Sequence, residues 1–173
     1  VDRSLPILWK CQGLVVAAEG EGVAFARRLF TLVEAGAKVT LFSKQEPSLE
    51  IAMLVAKRKI LRKRRIMQKS DVLMANLLLL AITDKTRIRR LSSWARNAKC
   101  RLACLTFPSL GDLQFAASVR WGDLLGAFWD RKKGSERLAF LRRRLKRTLP
   151  RWQEQARRDR AKPKRRLIRG WIS

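Results

Sequence analysis

The chain has no histidine, few acids and no long hydrophobic run, and each shortage excludes something. Its 173 residues contain no His at all. That removes the commonest general base and every Ser-His or Cys-His nucleophile arrangement. Its three cysteines, Cys11, Cys100 and Cys104, are an odd number and suggest no disulfide framework. A Cys-x-x-x-Cys pair without His is a poor zinc site, so no metal site is expected and buried free thiols are the plainer reading. No apolar stretch is longer than Leu77 to Ile82, which is far short of the ~20 residues that span a bilayer, so no membrane helix is expected. The opening Val1-Asp2-Arg3-Ser4 does not read as a secretory signal.

Acids are the scarcest class relative to their counterpart. The chain has 14 Asp+Glu against 40 Lys+Arg, a formal net charge of +26. The imbalance is also lopsided. Residues 1–50 hold six basic and six acidic side chains, so residues 51–173 carry the whole surplus. Such a surplus strains a compact fold by self-repulsion unless a polyanion neutralises it, and phosphate backbones are the commonest polyanion. Hydrophobic residues make up 47%, enough for a packed core and too many for a disordered chain. Length points to one domain, or one domain with a tail.

What is present reads as alternating strands and helices. Leu14 to Ala18 is a short buried strand, Gly20-Glu21-Gly22 a turn, and Val23 to Ala35 a helix with Phe25, Leu29, Leu32 and Val33 on one side. Gly36 stops that helix and Lys38 to Phe42 is a second strand. A short helix is expected over Ser48 to Val55, strands over Ile60 to Met67, Leu77 to Ile82 and Arg101 to Leu105, and a helix over Thr86 to Ala98. This predicts an α/β class: a Rossmann-like parallel sheet with helices on both faces. Gln114 to Arg120 and Leu124 to Trp129 are of uncertain type. Ser135 to Leu149 is a helix candidate with a leucine stripe, and a basic tail follows. The expected divisions are a Rossmann-like domain over 1–112, a dimerisation- or substrate-like segment with a basic helix over 113–150 and the basic tail over 151–173.

Leu5-Pro6, Gly20-Glu21-Gly22, Arg27-Arg28 and Glu34-Ala35-Gly36-Ala37-Lys38-Val39-Thr40 follow one another in a fixed order and spacing. Ala81-Ile82-Thr83-Asp84-Lys85, Trp121-Gly122-Asp123-Leu124 and Leu149-Pro150 continue the series. On these motifs the chain, from Leu5 to Pro150, resembles the amino-terminal module of siroheme synthase, the precorrin-2 dehydrogenase and sirohydrochlorin ferrochelatase family. The resemblance implies the fold, an NAD site at the glycine turn and a homodimer. The family's chemistry is disturbed in three places. Glu19 and Glu21 put two carboxylates where a pyrophosphate would sit, and Phe25 takes a position where a small residue allows close helix–strand packing. The family's aspartates before Pro108 become Thr106-Phe107, and Phe107 can neither carry a proton nor bind iron. The family's small-residue substrate loop becomes Trp129 to Ser135, with Arg131, Lys132 and Lys133. Asp112 and Phe115 match family positions but are more simply structural.

Taken together, these features predict an inactive enzyme fold recruited as an RNA-binding subunit of an organellar, mitochondrial ribosome, with rRNA and neighbouring ribosomal proteins as partners. No catalytic residue and no cofactor are expected, Gly20 and Gly22 being a vestigial turn. The expected phosphate contacts are Lys57, Arg58, Lys59, Arg62, Lys63, Arg64 and Arg65; then Arg131, Lys132, Lys133, Arg142, Arg143, Arg144, Lys146 and Arg147. In the tail they are Arg157, Arg158, Lys164, Arg165 and Arg166, where arginine forks suit phosphate and Trp152 and Trp171 could stack on bases. A charge run is otherwise a solvated face. The alternative is a working NAD-dependent precorrin-2 dehydrogenase, with or without ferrochelatase activity. A third class is a structural subunit whose cations meet acidic lipid or acidic proteins.

Overall fold

Short runs of valine, leucine and alanine, each followed by a segment of helical period, build the molecule. The structure is a computed structural model, and it describes residues 7–121 and 124–128 together with Phe140, Arg143, Arg144 and Arg147. Two compact units divide at Gln114 and Phe115.

The first unit is a five-stranded parallel sheet. Its elements are β1 (Val15–Gly20), α1 (Val23–Glu34), β2 (Lys38–Phe42), α2 (Leu49–Ala56), β3 (Ile60–Lys63), α3 (Lys69–Leu73), β4 (Leu77–Ala81), α4 (Lys85–Asn97) and β5 (Arg101–Cys104), followed by a 3₁₀ turn at Pro108–Leu110. The strand order is β3-β2-β1-β4-β5, with every neighbouring pair parallel. A buried parallel strand needs apolar side chains on both faces, and Leu77, Leu78, Leu79 and Leu80 of β4 are all at most 1% exposed. Alternation sends Ala17, Phe42, Leu78, Leu80 and Leu102 to the face covered by α3 and α4, where they pack with Val72, Ile88 and Leu91. Val16, Ala18, Val39, Leu41 and Leu79 take the opposite face, toward the buried Phe25, Leu29 and Leu32 of α1 and Ile51 of α2. The Rossmann-like expectation is thus met.

Two local expectations are corrected. The third strand stops at Lys63 rather than Met67. Arg65 N–H turns back to the Lys63 carbonyl at 2.8 Å, and the Arg65 guanidinium forks onto Asp71 at 2.6 and 2.7 Å. The segment after it forms a further short helix, α3, that the sequence pattern does not predict. Gln68 and Asp71 cap it reciprocally in a capping box. In the second unit the two segments of uncertain type are an antiparallel pair, β6 (Ala117–Trp121) with β7 (Leu124–Phe128). Phe140, Arg143, Arg144 and Arg147 are helical, and the rest of the expected Ser135 to Leu149 helix lies outside the described residues, as does the tail.

Candidate functional site: a glycine turn at the switch point

Strand order reverses between β1 and β4, so the chain leaves these two neighbours in opposite directions and opens a crevice above their carboxyl ends. The residues there are the turn Gly20-Glu21-Gly22 after β1, Ser43-Lys44 after β2, Ile82-Thr83-Asp84 after β4 and Thr106-Phe107 after β5.

Gly20 is the point of close approach. Its φ is +150°, and a Cβ there would lie 2.6 Å from the Ala81 Cβ and 2.7 Å from the Ala81 nitrogen. Gly22 has φ of +97° and caps α1 without a side chain. A Cβ at Gly22 would meet nothing within 4 Å. The first turn of α1 therefore presents backbone N–H groups with no side-chain cap, beside an exposed glycine with open space around it. Backbone donors and the helix dipole together favour an anion there, and glycine lets a pyrophosphate approach. On this geometry the turn fits a dinucleotide.

The two expected obstacles are smaller than the sequence suggested. Glu19 does not face the crevice. Alternation puts it on the same face as Ala17, where it is 8% exposed. Arg87 of α4 binds it through two bonds, Nε to Oε1 at 2.6 Å and Nη2 to Oε2 at 2.7 Å. The Met67 N–H donates to Oε2 at 3.1 Å. A paired, hydrogen-bonded carboxylate under the sheet end is a structural tie, and removing either partner of such a pair costs about 3–5 kcal/mol. Glu21 alone stays in the turn, exposed to solvent, where a like charge at 4 Å costs only about 1 kcal/mol. Phe25 is fully buried, so its ring is absorbed by the core and α1 still starts at Gly22.

The carboxylate gap after β5 persists. Residues 105–111 contain no acid. The Phe107 N–H donates to Cys104 Sγ at 3.4 Å, and the Lys85 ammonium sits 5.1 Å from the Phe107 ring centroid. Asp112 accepts the Leu102 N–H at 3.1 Å, which is a structural role. Asp84 caps α4 through the Arg87 N–H at 3.0 Å. Burial is the main cause pushing the Cys100 thiol up to about 11, with the Asp112 charge adding to it. Among the described residues no three His, Cys, Asp or Glu side chains gather as a metal site would require. A separate open cavity of about 320 Å³ lies over β1 and β2 beside α3, lined by Val15, Thr40, Phe42, Lys63 and Met74 among others. It includes none of the glycine turn.

The basic run has local tasks. Lys57 and Arg58 end α2, and Arg58 takes φ of +54°. Lys59 pairs with Glu34 at 3.7 Å. Arg62 is 8% exposed and holds Glu46 and the Gln45 carbonyl. Lys63 reaches Asp71 at 3.6 Å and Arg64 reaches Glu46 at 3.5 Å. The Arg62 hydrogen bond, first, and the nearby charges of Arg62 and Arg64 hold Glu46 below the usual carboxylate range. Lys63 and Arg65 also lie over the Phe42 ring at 5.6 and 5.1 Å. Arg143, Arg144 and Arg147 are exposed on their helix. Arg131, Lys132, Lys133, Arg142, Lys146, Arg157, Arg158, Lys164, Arg165 and Arg166 lie outside the described residues. Sequence reasoning singled out neither Arg87, three residues after a helix cap, nor Ser43 and Lys44, which stand about twenty residues beyond the glycine turn.

Comparisons with known proteins agree with the crevice. Residues 7–117 match the model of a family described as putative NAD(P)-binding. Among solved structures the chain is similar to SirC, a precorrin-2 dehydrogenase, with a TM-score of 0.67 and 20% identity, over 82% of this chain and 69% of that one. No curated protein sequence gives a match. The resemblance to the amino-terminal module of siroheme synthase is borne out in family and in fold. The reading as an inactive, RNA-binding ribosomal subunit is overturned: the family match is to dinucleotide binding, the shared fold is that of a dehydrogenase, and neither points to RNA. The expectation of no cofactor gives way with it to the NAD alternative. The chain belongs to the putative NAD(P)-binding family whose model covers residues 7–117.

Proposed function

We propose that this chain is an NAD(P)-dependent oxidoreductase of the precorrin-2 dehydrogenase type. One observation carries the reading. At the switch point a side-chain-free helix start faces an open glycine cradle, and Glu19, the acid that would have blocked it most deeply, is turned under the sheet and paired with Arg87. A bound nicotinamide dinucleotide would supply the hydride acceptor. The chain's own part is to hold the pyrophosphate at Gly20 to Val23 and to exclude water with Phe107 and Ile82 at the strand ends. Residues 105–111, at the end of β5, hold no carboxylate to take up the proton released on substrate oxidation, and that proton is assigned to solvent. The fold shared with SirC supports this choice of substrate class. A tetrapyrrole with several carboxylates also suits a chain of net charge +26.

The test has two stages. Calorimetric titration with NAD⁺ and NADP⁺ should show saturable one-to-one binding to at least one of them. Anaerobic incubation with precorrin-2 and the dinucleotide should then yield the reduced dinucleotide and the oxidised macrocycle in equal amounts. Binding without turnover would reject this substrate class. No binding to either dinucleotide would reject the site.

A further inference from the structure

The crevice also bears on which dinucleotide it takes. In open parallel sheets of this order the adenosine ribose meets the end of the second strand. A carboxylate there accepts the 2′-hydroxyl and repels phosphate, whereas a nearby cation accommodates a 2′-phosphate. Here β2 runs out as Phe42-Ser43-Lys44, with no acid. The register pairs Glu19 with Phe42, so Ser43 comes level with Gly20 of the glycine turn.

This loop is held in one shape. The Ser43 N–H donates to the Lys63 carbonyl at 3.2 Å. Its hydroxyl donates to the Gln45 carbonyl at 2.6 Å, and Arg62 donates to that same carbonyl at 2.6 Å. The one acid in the loop, Glu46, is taken by Arg62 and by Arg64. It is therefore occupied as an acceptor. Lys44 is exposed, and no carboxylate lies within ion-pair distance of it among the described residues. Arg64, 76% exposed, follows the strand end to which Ser43 is bonded. Arg62 and Arg64 pair with Glu46, and Lys63 and Arg65 pair with Asp71, so together with Lys44 these five cations outnumber the two acids by three.

We propose that the chain selects the 2′-phosphorylated dinucleotide, with Ser43 and Lys44, beside Arg64, receiving the 2′-phosphate. The proposal rests on the dinucleotide reading of the glycine turn and adds a specificity to it. A phosphate monoester carries a charge of about −1.5 to −2 at neutral pH and three acceptor oxygens, which matches an exposed ammonium and an arginine fork.

The test is calorimetric titration of the whole chain with NADP⁺ and with NAD⁺, at low and at high salt. NADP⁺ is expected to bind about tenfold more tightly or better at low salt, with the ratio narrowing as salt rises. Lys44→Glu, and separately Ser43→Asp, should bring the ratio of dissociation constants to about one or below it. Equal affinities in the parent chain, or tighter NAD⁺, would overturn the proposal and leave the dinucleotide site standing. A preference that survives Lys44→Glu and Ser43→Asp unchanged would overturn the assignment to these residues. Failure to bind either dinucleotide would overturn both the site and the specificity.

Discussion

Two glycines one residue apart do different jobs, and single methyl groups separate them. At Gly20 the added Cβ would meet Ala81 backbone atoms at 2.7 and 2.8 Å, and backbone cannot swing aside as a flexible side chain can. Gly20→Ala is therefore expected to force β1 and β4 apart and to lower stability by about 2–4 kcal/mol, within the range for overpacking combined with a strained dihedral. At Gly22 the Cβ has open space but the backbone, at φ +97° and ψ 163°, lies in a region almost confined to glycine, so Gly22→Ala should cost about 1–3 kcal/mol of stability from strain alone. Its methyl group would stand in the anion cradle, and dinucleotide affinity should fall at least about tenfold. Urea melts and calorimetric titrations of the two variants read the contrast; equal losses of stability and affinity in both would show that the turn has no cradle. Cys100 gives a pH prediction. Its thiol titrates near 11, above the ordinary value of 9.0, because burial disfavours the thiolate. A raised folded value means that the stabilisation is complete below about pH 9 and is lost as the pH climbs toward 11. Cys100→Ala should therefore flatten the alkaline decline in stability in that window while leaving neutral pH behaviour nearly parallel. An unchanged slope would place the decline on the lysines instead.

Three helices end in the same way, which makes the elements comparable. After α1 the Gly36 N–H bonds Val33 and the Ala37 N–H bonds Leu32; after α2 Arg58 bonds Val55 and Lys59 bonds Leu54; after α4 Lys99 bonds Arg96 and Cys100 bonds Ala95. Each is a Schellman ending with a left-handed residue. Only α1 uses glycine; Arg58 and Lys99 take φ of +54° and +55°. Arg58→Gly and Lys99→Gly should each stabilise the fold by about 0.5–1 kcal/mol, read as a higher denaturation midpoint at unchanged slope. A loss would mean that the cation's attraction to the helix end outweighs the relief. The same elements show what the sequence could reveal. The first βαβ unit was legible because its periods change cleanly from two to 3.6 and back, with Gly36 as a stop. The helix α3 was not, since five residues with three polar ones at the start leave no period to read, and the neighbouring cations resembled a strand face. The glycines of the site were legible. The direction of Glu19 was not, because β1 runs to Gly20 through its pairing with Ala81, two residues beyond its expected end. Read as a loop residue, Glu19 stood in the crevice; as a strand residue it follows Ala17 to the other face. Its partner Arg87 is 68 positions away, a distance that no local pattern spans.

Across the whole molecule the acids are scarce, and most of those among the described residues are structurally engaged. Glu19, Glu34, Glu46 and Asp71 form ion pairs, Asp84 caps a helix and Asp112 holds β5. Lys and Arg outnumber Asp and Glu by 40 to 14, so the formal charge of +26 acts as self-repulsion in the folded state. Screening then works in opposite senses on stability and on binding. Raising ionic strength from about 0.01 to 0.15 M shortens the Debye length from about 30 to 8 Å. That should relieve repulsion between distant lysines and arginines more than it weakens the few surface pairs, which are worth little individually. The melting temperature is expected to rise by about 2–4 °C for each kcal/mol relieved, equally for chloride salts of different cations at matched ionic strength. Dinucleotide affinity should fall over the same range, because the field that strains the fold also draws an anionic cofactor toward the crevice. A melting temperature that falls with salt would mean that ion pairs such as Arg62 with Glu46 outweigh the repulsion. An affinity that does not fall would mean that the glycine turn holds its ligand without help from the surrounding charge.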